Sequence, residues 1–211
     1  MAGRALLVVD PQNDFCPQGA LGVPGGDEIV PLINELAPRF PIVIATQDWH
    51  PVGHASFASS HPGRRPLEVI ELDGIPQVLW PDHCVAGTRG AEFHPGIDLR
   101  AARAVVRKGT DPRVDSYSAF RDNQREHPTG LAGLLRELGV TRVVIVGLAT
   151  DYCAAFSARD AVDLGFVPEI WLPATRPVGA PPGHLERTLA ELRRLGVLLR
   201  DDLPSGDEAF A

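Results

Sequence analysis

The chain has 211 residues, a formal net charge of −7 and three cysteines that lie far apart. The acidic balance argues against nucleic acid and acidic membrane surfaces as partners, and no apolar run approaches the roughly 20 residues that a membrane span needs. Scattered cysteines do not suggest a disulfide framework, and the first residues do not resemble a signal peptide, so we expect a cytoplasmic protein.

Short apolar runs alternate with helical patterns along the chain. The predicted strands cover residues 4–9, 42–45, 104–107, 143–147, 167–172 and 197–199, and the predicted helices cover residues 27–36, 131–138, 152–165 and 183–195. This alternation predicts an α/β fold with a doubly wound, mostly parallel central sheet and helices on both faces, a Rossmann-like three-layer sandwich. We expect residues 1–211 to form one domain, with an irregular and functional insertion at about 51–96.

The stretch from residue 142 to residue 156 combines a buried strand, a break and the start of a helix. The pattern places Cys153 in the first turn of that helix, with Thr150 or Asp151 as the N-cap. The positive end of a helix would stabilise a thiolate there, and then an oxyanion. The alternative is a small buried cysteine without a chemical role.

Four polar residues follow predicted strands, at or just past their carboxyl ends: Asp10, Asp48, Lys108 and Cys153. Because the carboxyl ends of parallel strands share one edge, we expect these groups to converge. Cys153 would be a nucleophile, Asp10 would carry its proton, and Lys108, the only lysine in the chain, would stabilise both anions. Taken alone, Asp10 could instead form an Asx-turn.

A second cluster lies in and beside the irregular segment and consists of Asp48, His50, His54 and His83. One carboxylate and several imidazoles suit a single divalent ion, with zinc as the first expectation and iron or manganese as alternatives. Cys84 is a competing ligand next to His83. The structural alternative is a set of loop histidines that bind backbone groups.

Five separated motifs occur in the order DPQNDF, TQDWHP, WPDHCVAGT, KGTDPRVDSYSAF and GLATDYC. Together they resemble the motifs of the nicotinamidases in the isochorismatase-like cysteine hydrolase superfamily. The resemblance runs from about residue 5 to residue 172 in the right order, which makes it specific.

The resemblance implies a catalytic set of Asp10, Lys108 and Cys153, with Cys153 as the nucleophile and Asp10 as the acid and base. It also implies an oxyanion hole formed by the backbone N–H groups of Ala149 and Cys153. The Leu148–Ala149 bond corresponds to a cis peptide in the family.

The resemblance further implies a metal site and a substrate pocket next to each other. The metal positions are Asp48, His50 and His83, with His54 as a ligand in some members only. The pocket positions are the aromatic residues Phe15, Trp80 and Tyr117, which fall in polar loops where a flat pyridine ring could stack. Tyr152 receives no role.

The implied activity is hydrolysis of nicotinamide to nicotinate and ammonia through a cysteine thioester, with a divalent metal that orients the pyridine ring. One alternative is metal-dependent hydrolysis of another small amide or ureide. Another is a non-catalytic module that binds metal or senses redox state through Cys153. The sequence leaves open which metal binds, whether pyrazinamide or substituted nicotinamides are accepted, and whether the chains form a homo-oligomer.

Overall fold

Apolar runs rich in β-branched side chains become strands in the computed structural model, which describes residues 3–203. The eight strands in this part of the chain are β1 (Gly3–Val9), β2 (Ile42–Asp48), β3 (Val69–Leu72), β4 (Ile75–Val78), β5 (Ala102–Lys108), β6 (Val140–Leu148), β7 (Val167–Arg176) and β8 (Leu198–Arg200). Six of them correspond to the six predicted strands.

These six strands form one sheet in the order β5-β2-β1-β6-β7-β8, and every neighbouring pair is parallel. The chain leaves β1 toward β2 and β5 on one side and then crosses back to β6 on the other. The strand order therefore reverses between β1 and β6, and in such sheets the ligand crevice lies at the carboxyl ends of the strands at this point. Asp10 and Cys153 follow the two strands concerned.

Helices cover both faces of the sheet, as predicted. They are α1 (Ile29–Leu36), α2 (Leu131–Glu137), α3 (Ala155–Asp163) and α4 (His184–Arg194). Successive side chains of β1 point to opposite faces. Leu6 and Val8 belong to the core under α1, whereas Leu7 and Val9 belong to the core under the other three helices. None of the helices within residues 3–203 is long and apolar enough to cross a membrane.

The insertion between β2 and β5 is more regular than the sequence analysis predicts. Strands β3 and β4 pair as an antiparallel hairpin. Asp73 and Gly74 connect them, both with positive φ, at 49° and 82°. An Asp-Gly pair between two short apolar runs is a strong hairpin signal. The hairpin is not predicted, because the segment lacks a long periodic pattern and is interpreted as irregular.

The helix that carries Cys153 also starts differently from the prediction. Residues Thr150–Ala154 form one π-helical turn, and the regular helix begins only at Ala155. No side chain caps either start. Thr150 instead donates its hydroxyl hydrogen to Thr175, and the carboxylate of Asp151 binds backbone N–H groups beyond β7. The predicted N-cap is therefore wrong, because tertiary partners take both side chains.

Candidate active site

Four of the predicted groups meet at the ammonium of Lys108. Its Nζ lies 2.9 Å from Asp10 Oδ2, 3.0 Å from Asp48 Oδ1 and 3.5 Å from Cys153 Sγ. It also donates to the carbonyl oxygen of Ser116 at 2.9 Å. Asp10 follows β1, Asp48 and Lys108 end β2 and β5, and Cys153 lies in the turn after β6, so the parallel sheet itself produces the convergence.

Asp10 turns away from its strand with a φ of 45° and is completely buried. Thr46 donates its hydroxyl hydrogen to Asp10 Oδ1 at 2.6 Å and accepts the Asp10 N–H at 3.1 Å. Burial raises the pKa of Asp10 above its ordinary value, although Lys108 and the Thr46 hydrogen bond oppose part of this rise. A raised pKa suits a carboxyl group that must both gain and lose a proton.

The pKa values of Lys108 and Cys153 are shifted in the same direction. Burial alone would lower the pKa of Lys108, but the carboxylates of Asp10 and Asp48 raise it well above its ordinary value. Burial raises the pKa of the Cys153 thiol well above its ordinary value, Lys108 opposes the shift, and the two carboxylates add to it. This direction favours the protonated thiol in the free protein, in contrast to the thiolate that the predicted helix position suggests.

Asp48, His50 and His83 form a buried group in which one ligand atom of each lies within 4.8 Å of the others. Asp48 Oδ2 lies 3.1 Å from His50 Nε2 and 3.6 Å from His83 Nε2. Burial alone would raise the pKa of Asp48, but His50 and Lys108 bring it well below its ordinary value. The carboxylate is thus ionised, as a metal ligand must be.

Backbone carbonyl groups orient both imidazoles. His50 Nδ1 lies 3.0 Å from the Gly109 oxygen, and His83 Nδ1 lies 2.8 Å from the Pro81 oxygen. Because a carbonyl can only accept, each Nδ1 donates its N–H, and each Nε2 faces Asp48, where a divalent ion would bind the Nε2 lone pairs in place of protons. Gly109 is needed here, since a Cβ at that position would lie 2.5 Å from His50 Cε1. Metal-binding histidines are commonly oriented in this way, so the residues fit a divalent ion.

His54 lies beside His50, with the ring centroids 4.4 Å apart, but it is not a member of this group. Its Nδ1 accepts the Ser56 N–H at 3.2 Å, which places the proton of a neutral imidazole on Nε2. That Nε2 is buried and has no hydrogen-bond partner among residues 3–203. Cys84 is also outside the group, and burial raises the pKa of its thiol well above the ordinary value.

The three predicted aromatic residues line one cavity together with Ala149 and Cys153. Trp80 Nε1 donates to the Tyr117 hydroxyl at 3.1 Å, and the two rings meet edge to face. Phe15 packs against His83 with ring centroids 5.5 Å apart. Asp48 and His83 also line the cavity, so the thiol, the aromatic walls and the metal group face one space.

Four further residues line this cavity and were missed by the sequence analysis: Leu21, Asp115, Tyr152 and Val178. Tyr152 meets Trp80 edge to face with centroids 4.8 Å apart. Asp115 is buried, and its Oδ1 lies 4.0 Å from His50 Nε2. Asp115 lies in the motif KGTDPRVDSYSAF and Tyr152 in the motif GLATDYC, so the motifs could have identified both residues. Leu21 and Val178 lie in loops outside these motifs, where no sequence pattern indicates a functional role.

The backbone before Cys153 takes an unusual path. The Leu148–Ala149 peptide is cis, as the resemblance implies. Gly147 has a φ of 109°, and a Cβ there would overlap the carbonyl oxygen of Val9, so only glycine fits against the neighbouring strand. The Ala149 carbonyl accepts the N–H groups on either side of residue 153 and thereby closes the turn that presents the sulfur.

Several known proteins are similar to this chain over most of its length. Residues 4–174 match the Isochorismatase domain family. A nicotinamidase of Acinetobacter baylyi is 47% identical over 193 residues, which cover 92% of this chain and 90% of that protein. An Acinetobacter baumanii nicotinamidase and pyrazinamidase structure has a TM-score of 0.92 and 46% identity, covering 94% of this chain and 96% of its own.

A structure of the Pyrococcus horikoshii pyrazinamidase in complex with zinc has a TM-score of 0.76 and 37% identity, with 94% of this chain and 99% of that chain covered. The matched span includes all or most of every strand of the parallel sheet except β8. The chain therefore belongs to the isochorismatase-like superfamily and, within it, to the nicotinamidases.

Proposed function

We propose that this protein is an amidohydrolase that converts nicotinamide to nicotinate and ammonia through a thioester on Cys153. The observation that carries the proposal is the position of Lys108 Nζ, 3.5 Å from the Cys153 sulfur and 2.9 Å from Asp10, beside an aromatic cavity. The nicotinamidase relatives support the same substrate.

In the first half of the reaction the Cys153 sulfur bonds to the carboxamide carbon while Asp10 accepts the thiol proton. The carbonyl oxygen gains the negative charge. Asp10 then gives the proton to the amide nitrogen, the C–N bond breaks, and ammonia leaves a thioester behind. Lys108 stays protonated and holds the carboxylate near the sulfur throughout.

In the second half a water molecule attacks the thioester carbon and Asp10 accepts one of its protons. The C–S bond breaks, the sulfur takes the proton back from Asp10, and the nicotinic acid leaves as nicotinate after its remaining acid proton passes to solvent. The backbone N–H groups of Ala149 and Cys153 are the proposed donors to the oxyanion in both halves. Both residues line the cavity, which supports this assignment.

The pyridine ring is proposed to lie among Phe15, Trp80 and Tyr117. Asp48, His50 and His83 would hold one divalent ion beside it, with zinc as the first expectation and iron or manganese as alternatives. A bound ion would offer a coordination position to the ring nitrogen, or to a water molecule next to it, and would so orient the carboxamide toward Cys153.

The metal assignment is tested by elemental analysis and by dialysis against a chelator. We expect activity to fall on dialysis, and the double variant Asp48→Ala/His50→Ala to contain no metal. His54→Ala should lose much less metal affinity than His50→Ala, because Ser56 holds the ring in the tautomer that protonates Nε2. Equal losses in both histidine variants would make His54 a full ligand.

The activity is tested with a panel of aromatic and aliphatic amides, measured with and without chelator. We expect nicotinamide to release equal amounts of ammonia and nicotinate. A clear preference for another small amide or ureide would favour the first alternative function. Sulfenylation of Cys153 by peroxide without turnover of any amide would favour the redox-sensing module.

The place of action is proposed to be the cytoplasm. Cys16, Cys84 and Cys153 are all free and buried, and a reducing compartment keeps such thiols intact.

A further inference from the structure

Residues 177–183, between β7 and α4, supply one wall of the cavity through Val178. This segment has no helix or strand of its own and reads PVGAPPG, with three prolines and two glycines. Proline has no backbone N–H to donate, so the segment has few ways to hold itself in place. Its position must come from bonds made by other parts of the chain.

Asp151 supplies two of these bonds. One carboxylate oxygen accepts the Val178 N–H at 2.8 Å, and the other accepts the Gly179 N–H at 2.9 Å. Asp151 is completely buried, and hydrogen bonds to a charged acceptor are roughly twice as strong as neutral ones. A carboxylate has two acceptor oxygens, whereas an amide side chain would turn a donor toward one of the two N–H groups.

The neighbouring residue extends this connection. The Tyr152 hydroxyl donates to the Ala180 carbonyl at 2.8 Å, and His184 Nε2 donates to the Asp151 carbonyl at 3.1 Å. The turn that presents the Cys153 sulfur therefore also fixes the opposite end of the 177–183 segment. Nucleophile and pocket wall are parts of one hydrogen-bonded unit.

We propose that Asp151 is a positioning residue that holds Val178 in the pocket wall, and that Val178 thereby decides which ring-substituted pyridinecarboxamides the site accepts. This inference rests on the proposed amide hydrolysis and adds a determinant of its substrate range. The half-buried Val178 side chain is the part of the wall that the Asp151 bonds place directly, since one of them is made by its own N–H.

The size of residue 178 is tested with nicotinamide and a set of its ring-methylated derivatives. Val178→Ala should raise kcat/KM for at least one methylated derivative relative to nicotinamide by roughly tenfold or more, the discrimination that one methylene gives in an apolar pocket. Val178→Leu should shift the ratio the other way. If both variants still hydrolyse nicotinamide and the ratios of kcat/KM between the methylated derivatives and nicotinamide stay unchanged, the proposed role of Val178 is overturned.

The positioning role is tested with Asp151→Asn. We expect a higher KM for nicotinamide with a smaller change in kcat, and the double variant Asp151→Asn/Val178→Ala should show no more change in selectivity than Asp151→Asn alone. Asp160→Asn is the control, because it removes a buried carboxylate from α3 that pairs with Arg121. It should leave the selectivity ratios unchanged.

Amide hydrogen exchange gives a result that does not depend on turnover. Asp151→Asn should speed exchange at residues 178 and 179 and leave α3 protected. Unchanged exchange there would overturn the positioning role. If the unmodified protein released no ammonia from any pyridinecarboxamide, the proposed function would fail, and the exchange result would still decide the role of Asp151.

Discussion

Two buried ion clusters lie in the same parallel sheet and use buried charge in different ways. At the carboxyl edge, Lys108 lies between two carboxylates and next to the Cys153 thiol. Near the amino ends of β1 and β7, Glu169 Oε2 accepts hydrogen bonds from Arg4 at 2.9 Å and Arg200 at 3.1 Å. Both clusters join strands that are far apart in the sequence.

Aromatic side chains surround the second cluster, which consists of Glu169, Arg4 and Arg200. Trp171 Nε1 donates to the same oxygen of Glu169, and the Arg4 guanidinium lies 5.6 Å from the Trp171 ring centroid and 5.9 Å from that of Phe40. A planar guanidinium that stacks on aromatic rings fixes geometry, whereas the compact ammonium of Lys108 can serve several acceptors in a small space. Buried charge becomes reactive only where it adjoins a thiol and a cavity.

The largest effect should come from removing the sulfur. Cys153→Ala should lower kcat by roughly 10⁴-fold or more, as the loss of a triad member does in other hydrolases. Ammonia release and calorimetric binding of nicotinamide measure the two consequences, and binding should persist. Cys16→Ser is the control, because burial raises the pKa of Cys16 to about 11 and this thiol is outside the cavity. Turnover in Cys153→Ala above a trace would remove the covalent scheme.

Replacing the cation should damage both activity and stability. Lys108→Met leaves two buried carboxylates without their partner, which costs about 3–5 kcal/mol of unfolding free energy. It should also lower kcat by orders of magnitude, since Asp10 would no longer be held beside the sulfur. Urea unfolding and ammonia release measure the two effects. Full activity in a destabilised Lys108→Met protein would show that Lys108 contributes to stability and not to catalysis.

Replacing the acid of the other cluster should damage stability alone. Glu169→Gln should cost about 3 kcal/mol of unfolding free energy, because Arg4 stays buried without its counter-ion. Its kcat should equal that of the unmodified protein under conditions where it is folded. Glu191→Gln removes a more exposed pair with Arg159 and should cost no more than about 1 kcal/mol. A selective loss of kcat in Glu169→Gln would contradict the division between the clusters.

The smallest effect concerns pH. The Thr46 hydrogen bond lowers the pKa of Asp10, so Thr46→Val should raise that pKa further. Asp10 must be ionised to accept the thiol proton, and the acid limb of kcat/KM should therefore move to higher pH. Thr46→Ser keeps the hydroxyl group and should leave the acid limb at its original pH. Thr188→Val, which changes a buried threonine of α4, should leave the profile where it was.

Much of the site could be predicted because parallel sheets bring strand ends together. The convergence of Asp10, Lys108 and Cys153 could be predicted from the positions of the buried strands and their carboxyl ends alone. The metal group could be predicted from residue types that suit one ion. The motif resemblance added the aromatic walls and the cis peptide. These features depend on local sequence and on a topology with few alternatives.

The remaining features depend on tertiary contacts. Asp151 has the residue type of a helix cap, but Val178 and Gly179 take both of its oxygens. The raised pKa of Cys153 follows from its burial beside carboxylates, which a sequence pattern does not report. The tautomer of His54 depends on a single N–H of Ser56. The partners of Asp151 and His54 lie in loops whose positions no periodic pattern predicts.

The central claim is that Cys153 carries the acyl group during turnover. The most direct measurement is peptide mass spectrometry of protein quenched with acid while it hydrolyses nicotinamide. The account predicts a nicotinoyl adduct on the peptide that contains Cys153, absent in Cys153→Ala and lost on treatment with hydroxylamine. Ammonia release at the normal rate with that peptide unmodified at every time point, or an adduct on another residue, would contradict it.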